Sequence, residues 1–353
     1  MKITKIPQIS FKGYDAAPLK GLYMHRTAED GIIAQMEDIA KSEGIKLTSY
    51  TDSYHTDRFS NVRIKNKQWA QDDKFISEGK DSKPLLLREK AEYYKGFAEK
   101  LKRTENISSI TPDIFLAGGN MFAGKKENGE KWLLVGEDEI SQSGFPRKIA
   151  LEKISKTYNV KPENITILSQ PNFHLDMAIR PIGYPYVLVN DHKLVRENIK
   201  KHRDKIPDKA FEEEIYYCTN PCKNFYVSAD ATVEELEKAG FVPIRIAGVY
   251  SFDKLAINYM NSIVNKHDDG SISYITNSAK DSHCAVFDKI FENDLKGAVK
   301  NLDKVHFVSG DPTPNLYNNR NPIMYLLKYM QGGIHCMTLE EPDFKKWGEN
   351  ENK

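Results

Sequence analysis

Helical and strand periodicities alternate from one end of this 353-residue chain to the other, and no Pro/Gly/Ser-rich linker interrupts them. Alternation of this kind marks an α/β architecture, in which helices cross over between strands and share one core. A prior of about 100–200 residues per domain would allow two domains. The absence of a linker instead favours one compact domain over residues 1–353. No repeat of fixed period and no low-complexity run is visible.

Residues 28–43 carry Ile32, Ile33, Met36, Ile39 and Ala40 at helical spacing, with Thr27 as the expected N-cap and Gly44 as the stop. The spacing also predicts helices over 85–103 and over 146–158, the latter opened by Pro146. Thr232 and Glu235 read as a capping box for a short helix ending at Gly240, with a strand directly after it. Further strands are expected at 113–122, 131–136, 173–180, 186–190, 272–276, 305–309 and 333–339. Asn128-Gly129 is the turn of a hairpin between the first two of these. Residues 191–230, dense in charge, read as an insertion or lid.

Charge excludes some functions. Lys+Arg 51 against Asp+Glu 50 leaves a net charge of +1, which argues against a chain built to coat nucleic acid or an anionic membrane. The N-terminal MKITKIPQIS has no apolar core of a signal peptide, and YPYVLV (184–189) is among the longest apolar runs, far below the roughly 18 residues of a spanning helix. Four scattered cysteines do not make a disulfide framework. The expectation is a cytoplasmic enzyme or binding protein, with a homo-oligomer left open.

Two motifs fail on inspection. Residues 119–126, GNMFAGKK, approach a P-loop, but Lys126 occupies the hydroxyl position and a hairpin follows where a helix should start. Cys218 and Cys222 lack a second ligand pair beyond His192 or His202, so no metal is expected. His55, His192, His202, His267 and His283 read as surface residues, and His306 as a hydrogen-bonded core histidine.

Three segments place reactive residues at strand ends. In Phe173–Arg180 a strand would put His174, Asp176 and Arg180 on one face. In Gly332–Thr338, two glycines allow close backbone approach just before His335 and Cys336. Leu116-Ala117-Gly118-Gly119-Asn120 runs a strand into glycines that can line a ligand.

In this order, GGN in a hairpin, H-x-D, and GGIHC-x-T resemble the guanidine-modifying (pentein) superfamily, most of all the agmatine deiminases and bacterial peptidylarginine deiminases. Trp69-Ala70-Gln71-Asp72-Asp73 stands where that family has tryptophan-x-arginine-aspartate. The resemblance covers islands between about residues 60 and 345. It implies a pseudo-fivefold α/β propeller of ββαβ repeats around a central active site, in a single domain. It also implies Cys336 as nucleophile, His174 as general acid and base, and Asp176 and Asp72 as carboxylates gripping a guanidinium. Trp69, Asp73, Gly119, Asn120 and Arg180 are the further expected substrate contacts, and no cofactor is expected. Two positions depart from the family pattern: Ala117 replaces the acid before Gly-Gly, and Gln71 replaces the arginine.

The chemistry agrees with these residue types. A guanidinium is a poor electrophile, so carboxylates must fix it while a strong nucleophile attacks. Only about 3% of a free thiol is ionised at pH 7, which calls for a neighbouring imidazole. The expected function is a deiminase acting on agmatine, arginine or an arginine side chain. An amidinotransferase with the same Cys-His chemistry, or a non-catalytic guanidino-binding or protein-binding member of the fold, are the alternatives, the last because of Ala117.

Overall fold

The computed structural model describes residues 17–26, 28, 30–50, 69–70, 74–78, 83–88, 95–126, 128–206, 208, 229–251, 256–280, 282, 284–310 and 321–349. Among these, five three-stranded sheets repeat one plan. A first strand pairs antiparallel with a second, the chain crosses over through helix, and a third strand returns parallel to the second. Parallel neighbours require such a crossover, whereas the antiparallel pair needs only a turn.

The first sheet joins β1 (Leu19–His25), helix α1 (Asp30–Ser42) and β2 (Lys46–Tyr50). β3 (Lys74–Glu78), β4 (Pro84–Arg88), α2 (Lys95–Thr104) and β5 (Ser108–Ile110) form the next unit. It is followed by β6 (Met121–Lys125), β7 (Lys131–Gly136), α3 (Glu137–Gln142), α4 (Arg147–Tyr158) and β8 (Ile165–Leu168). The fourth holds β9 (Ile179–Gly183), β10 (Tyr186–Asn190), α5 (His192–Lys201), α6 (Asp230–Lys238) and β11 (Val242–Ile246). A hairpin of β12 (Val249–Ser251) and β13 (Ala256–Asn258) leads to β14 (Ile263–Lys266), β15 (Ile272–Asn277), α7 (Val286–Ala298) and β16 (Leu302–Val308). The first sheet takes its antiparallel strand from far along the sequence: β17 (Thr338–Pro342) pairs with β1, from Leu19↔Pro342 to Met24↔Thr338.

Burial explains the pattern. β10, YVLVN, is buried at every position, as expected of a strand covered on both faces. α1 buries Ile32, Met36 and Ala40, one stripe at i, i+4 and i+8, and ends before Gly44, whose φ of +68° closes the helix. Each fully buried Leu or Phe of this kind contributes about 1.5–3 kcal/mol. The antiparallel strands of all five sheets face a common cavity of about 110 Å³, reached by Glu78, Phe122, Gly124, Arg180, Val264 and Pro342.

Several expectations need correction. Residues 85–103 are not one helix: the apolar LLLR run lies in β4 and helix begins at Lys95. A short buried strand and a buried helical turn have the same apolar signature, so periodicity did not separate them. Thr232 is inside α6 rather than capping it; its hydroxyl donates to Ser169 O at 2.6 Å, and Glu235 accepts from Ser169 N and Oγ. Strand 113–122 shrinks to β6 from Met121. His192 is half-buried rather than on the surface. His306 is the core histidine expected, bonded at 2.7 Å to Glu43. The hairpin turn has Gly129 at φ +78°. Within 191–230, α5 buries Val195 and Ile199, while 209–228, with Cys218 and Cys222, lie outside the described residues, as do Thr27, His55 and His283.

Candidate functional site

β6, β9, β14 and β17 are each entered through a turn, and the reactive residues sit in those turns. The H-x-D segment is not the expected strand. His174 is extended (φ −130°, ψ 150°), and Leu175–Met177 then makes a 3₁₀ turn before β9. The turn drops Leu175 into the core and leaves Asp176 fully buried beside His174 rather than two positions along a pleat. Asn120 sets this conformation by accepting from Leu175 N at 3.2 Å, and Asn258 Nδ2 donates to Met177 O at 2.9 Å. Gly119 is the floor beneath both reactive side chains: a Cβ there would stand 2.6 Å from His174 Nδ1 and 3.2 Å from Asp176 Oδ2.

The Gly332–Thr338 segment is likewise a turn and not a strand over 333–339; β17 begins only at Thr338. Thr338 N donates to His335 O at 3.0 Å and its hydroxyl to Ile334 O at 2.8 Å. Both glycines are required by crowding. A Cβ on Gly332 would lie 2.7 Å from the Trp69 ring, and one on Gly333 2.7 Å from the Asn277 amide.

These turns bring Asp176, His335 and Cys336 into one buried cluster. Asp176 Oδ2 meets His335 Nδ1 at 2.7 Å, Asn261 Nδ2 at 2.8 Å and Cys336 Sγ at 3.2 Å. Nδ1 is the His335 ring nitrogen that faces this carboxylate. Asp176 Oδ1 is buried with no hydrogen-bond partner among the described residues. A carboxylate oxygen in that state is costly, and a cationic N–H donor would satisfy it. Burial pushes His174 below its ordinary value, partly offset by Asp176, so its imidazole is neutral near pH 7.

A second layer lies against the first. His335 Nε2 is 3.5 Å from Glu340 Oε1, which accepts from Arg180 Nη2 at 3.1 Å. Phe122 stacks on the His335 ring, and the Arg180 guanidinium lies over Phe122. His335, Glu340 and Arg180 border the common cavity, whose walls include none of His174, Asp176 or Cys336. Arg180, expected on the His174/Asp176 face, therefore belongs to this second layer, because the 3₁₀ turn breaks the period-two pattern. Near Ala117, Glu139 accepts from Ala117 N at 3.2 Å and Asn120 Nδ2 at 3.1 Å, and burial raises its pKa.

Of the residues the sequence singled out, His174, Asp176, Cys336 and Gly119 converge. Trp69 packs under Gly332, and Asn120 acts on the backbone of the H-x-D turn. Asp72 and Asp73 lie outside the described residues. Asn261, Glu340 and Glu139 were missed, and His335 was noted only as a neighbour of Cys336. One signal existed for Asn261: like His174, Asp176 and Cys336, it stands a few residues ahead of a strand. Among the described residues no group of three or more His, Cys, Asp or Glu is placed to hold a metal, and no helix is long and apolar enough to cross a membrane.

No family model matches the chain, and no curated protein matches it in sequence. Solved structures do match. An agmatine deiminase from C. jejuni superposes with a TM-score of 0.58 at 16% identity, over 95% of this chain and 98% of that one. A protein assigned as a peptidyl-arginine deiminase gives 0.57 at 14% identity, over 94% and 99%. One assigned as an arginine deiminase from Porphyromonas gingivalis gives 0.55 at 15%, over 93% and 97%. At these identities the likeness establishes a shared fold, with repeated units and mixed sheets, along nearly the whole chain.

Proposed function

We propose that this chain is a deiminase, hydrolysing a guanidino group of agmatine, arginine or an arginine derivative to a ureido group and ammonia. The observation that carries the reading is the buried meeting of Cys336 Sγ and Asp176 Oδ2 at 3.2 Å, with the other oxygen of that carboxylate unsatisfied. A carboxylate beside a nucleophilic sulfur is what positions a cationic carbon for attack. The shared fold with solved deiminases supports the same reading, and we propose that the five units close into a pseudo-fivefold propeller. That closure is supported by the β1–β17 pairing and by five strands facing one cavity.

In the proposed reaction the substrate guanidinium donates to Asp176, with Asp72 as a second carboxylate. Neutral His174 takes the Cys336 thiol proton. The thiolate attacks the guanidinium carbon, forming a C–S bond and a tetrahedral adduct. His174 returns the proton to one nitrogen, its C–N bond breaks, and ammonia leaves an amidino-cysteine. His174 then takes a proton from water, whose oxygen attacks the same carbon. The C–S bond breaks and the remaining hydroxyl proton passes to solvent, so the ureido product leaves neutral, with the thiolate and protonated His174 restored as the pair that began the attack. Trp69 and Gly119 shape the site, and Asn120 holds the H-x-D turn. Asp73 and Arg180 are proposed to act on the substrate's remaining groups.

The test is incubation with agmatine, free arginine, a methylated arginine and an arginine peptide, scoring ammonia and ureido product. Turnover of at least one is expected, with a covalent adduct on Cys336 detectable by mass spectrometry after acid quench. Activity retained in Cys336→Ala, or no turnover of any of the four, would refute the proposal.

A further inference from the structure

Asn261 is fully buried in the turn that leads into β14, and its side chain touches two of the other site turns at once. Its Oδ1 accepts from His335 N at 3.0 Å and more weakly from Cys336 N at 3.4 Å. Those contacts fix which way the amide points, because a flipped amide would set donors against donors. Nδ2 must then face Asp176 Oδ2 at 2.8 Å and Cys336 Sγ at 3.1 Å, with Met177 Sδ at 3.4 Å.

Neighbouring amides hold this one in place. Asn258 Oδ1 accepts from Asn261 N at 3.1 Å, and Asn277 Nδ2 donates to Asn261 O at 3.0 Å. Asn277 Oδ1 in turn accepts from Ile334 N at 3.0 Å. Three buried asparagines therefore staple the H-x-D, Asn258–Asn261 and nucleophile turns together.

The electrostatics give that geometry a purpose. Asp176 Oδ2 stands 3.2 Å from Sγ, and the same carboxylate meets His335 Nδ1 and acts on His174. A carboxylate this close opposes thiolate formation, while an N–H pointed at sulfur favours it. We infer that Asn261 is a catalytic residue whose side-chain amide donates to the Cys336 thiolate and holds it ready for attack. This rests on Cys336 being the nucleophile of the proposed reaction.

The test needs no turnover. Iodoacetamide alkylates only the thiolate: the thiol proton goes to buffer, the S–C bond forms and iodide leaves. The rate at Cys336, resolved from the other three cysteines by peptide mass spectrometry, is followed against pH. In Asn261→Ala the midpoint should rise by about one unit and the rate at pH 7 fall about tenfold, the effect of losing one hydrogen bond to a charged group. Asn277→Ala removes part of the staple without touching sulfur, and should lower Tm but leave the midpoint in place. An unmoved midpoint in folded Asn261→Ala, or an equal shift in Asn277→Ala, overturns the inference. Should Asn261→Ala not fold, the side-chain amide resonance of Asn261 in the wild-type chain decides. It should follow the Cys336 titration and lose that response in Cys336→Ala; an amide that ignores the titration overturns the inference. Failure of the deiminase reading would appear separately, as absent ureido product with these shifts intact.

Discussion

Replacing Gly119 by Ala would test the floor of the site with a single methyl group. The added Cβ would stand 2.6 Å from His174 Nδ1, about 0.8 Å inside the 3.4 Å at which ordinary contact begins, and 3.2 Å from Asp176 Oδ2. Gly119 does not have the positive φ that would strain an alanine, so the cost falls on the neighbours rather than the backbone. Asp176 is held by Asn261 and His335, and His174 is flanked by Phe173, whose ring centroid is 4.7 Å away. The closest contact is with His174, which must move, by close to 1 Å. A displacement of that size costs about a hundredfold in rate, or about 2.7 kcal/mol of transition-state stabilisation. The expected result is kcat/KM down about a hundredfold on the best substrate, with Tm lowered by only a few degrees. Gly297→Ala is the matched control. It meets nothing within 4 Å, lies in α7, and should stabilise by about 0.5–1 kcal/mol with activity unchanged. Wild-type kcat/KM in folded Gly119→Ala would refute the placement of His174 over this glycine.

Because burial holds His174 below its ordinary value, kcat/KM should hold as pH is lowered to 6.5 and fall only at more acidic pH. An acid limb centred above pH 7 would remove His174 as the base. Burial alone would raise the Glu43 pKa, but hydrogen bonds from His306, Ser273 and Asn265 outweigh it and hold the carboxyl at about 2. With the folded value depressed, its stabilisation is complete above about pH 4.5 and disappears as pH falls through about 2. Urea unfolding of wild type and Glu43→Gln should differ by about 1–2 kcal/mol at pH 6, allowing for solvent screening, and converge towards pH 2. Gly124→Ala would push a Cβ into the Trp132 indole and should destabilise by about 1–3 kcal/mol in the same assay. An unchanged unfolding midpoint would contradict that packing.

The sequence contained the repeat without displaying it. α1, β7 and β10 were legible because each has a strong period or an unbroken apolar run. The fivefold recurrence was not, because what recurs is a strand-strand-helix-strand order with loops of different length, and not a residue pattern. At the site, His174, Asp176 and Cys336 were legible as reactive types near glycines, but their geometry was not. A strand reading put Arg180 with His174, whereas the 3₁₀ turn at Leu175–Met177, set by Asn120 from the turn ahead of β6, separates them. Asn261 escaped for a related reason: an asparagine in a loop is ordinary until two other turns are known to close around it.

The pairing of β1 with β17 also sets a sequence of events. Lys20 and Glu341 meet across 321 positions of chain, so the first sheet cannot be finished until nearly everything between has been made. Cys336 sits two residues ahead of the strand that performs this closure. As the chain emerges during synthesis, His174 and Asp176 are made long before Asn258 and Asn261, which hold their turn, and before the cysteine that Asp176 meets. The meeting of Asp176 with Cys336 and the completion of the first sheet therefore both wait for the last part of the chain.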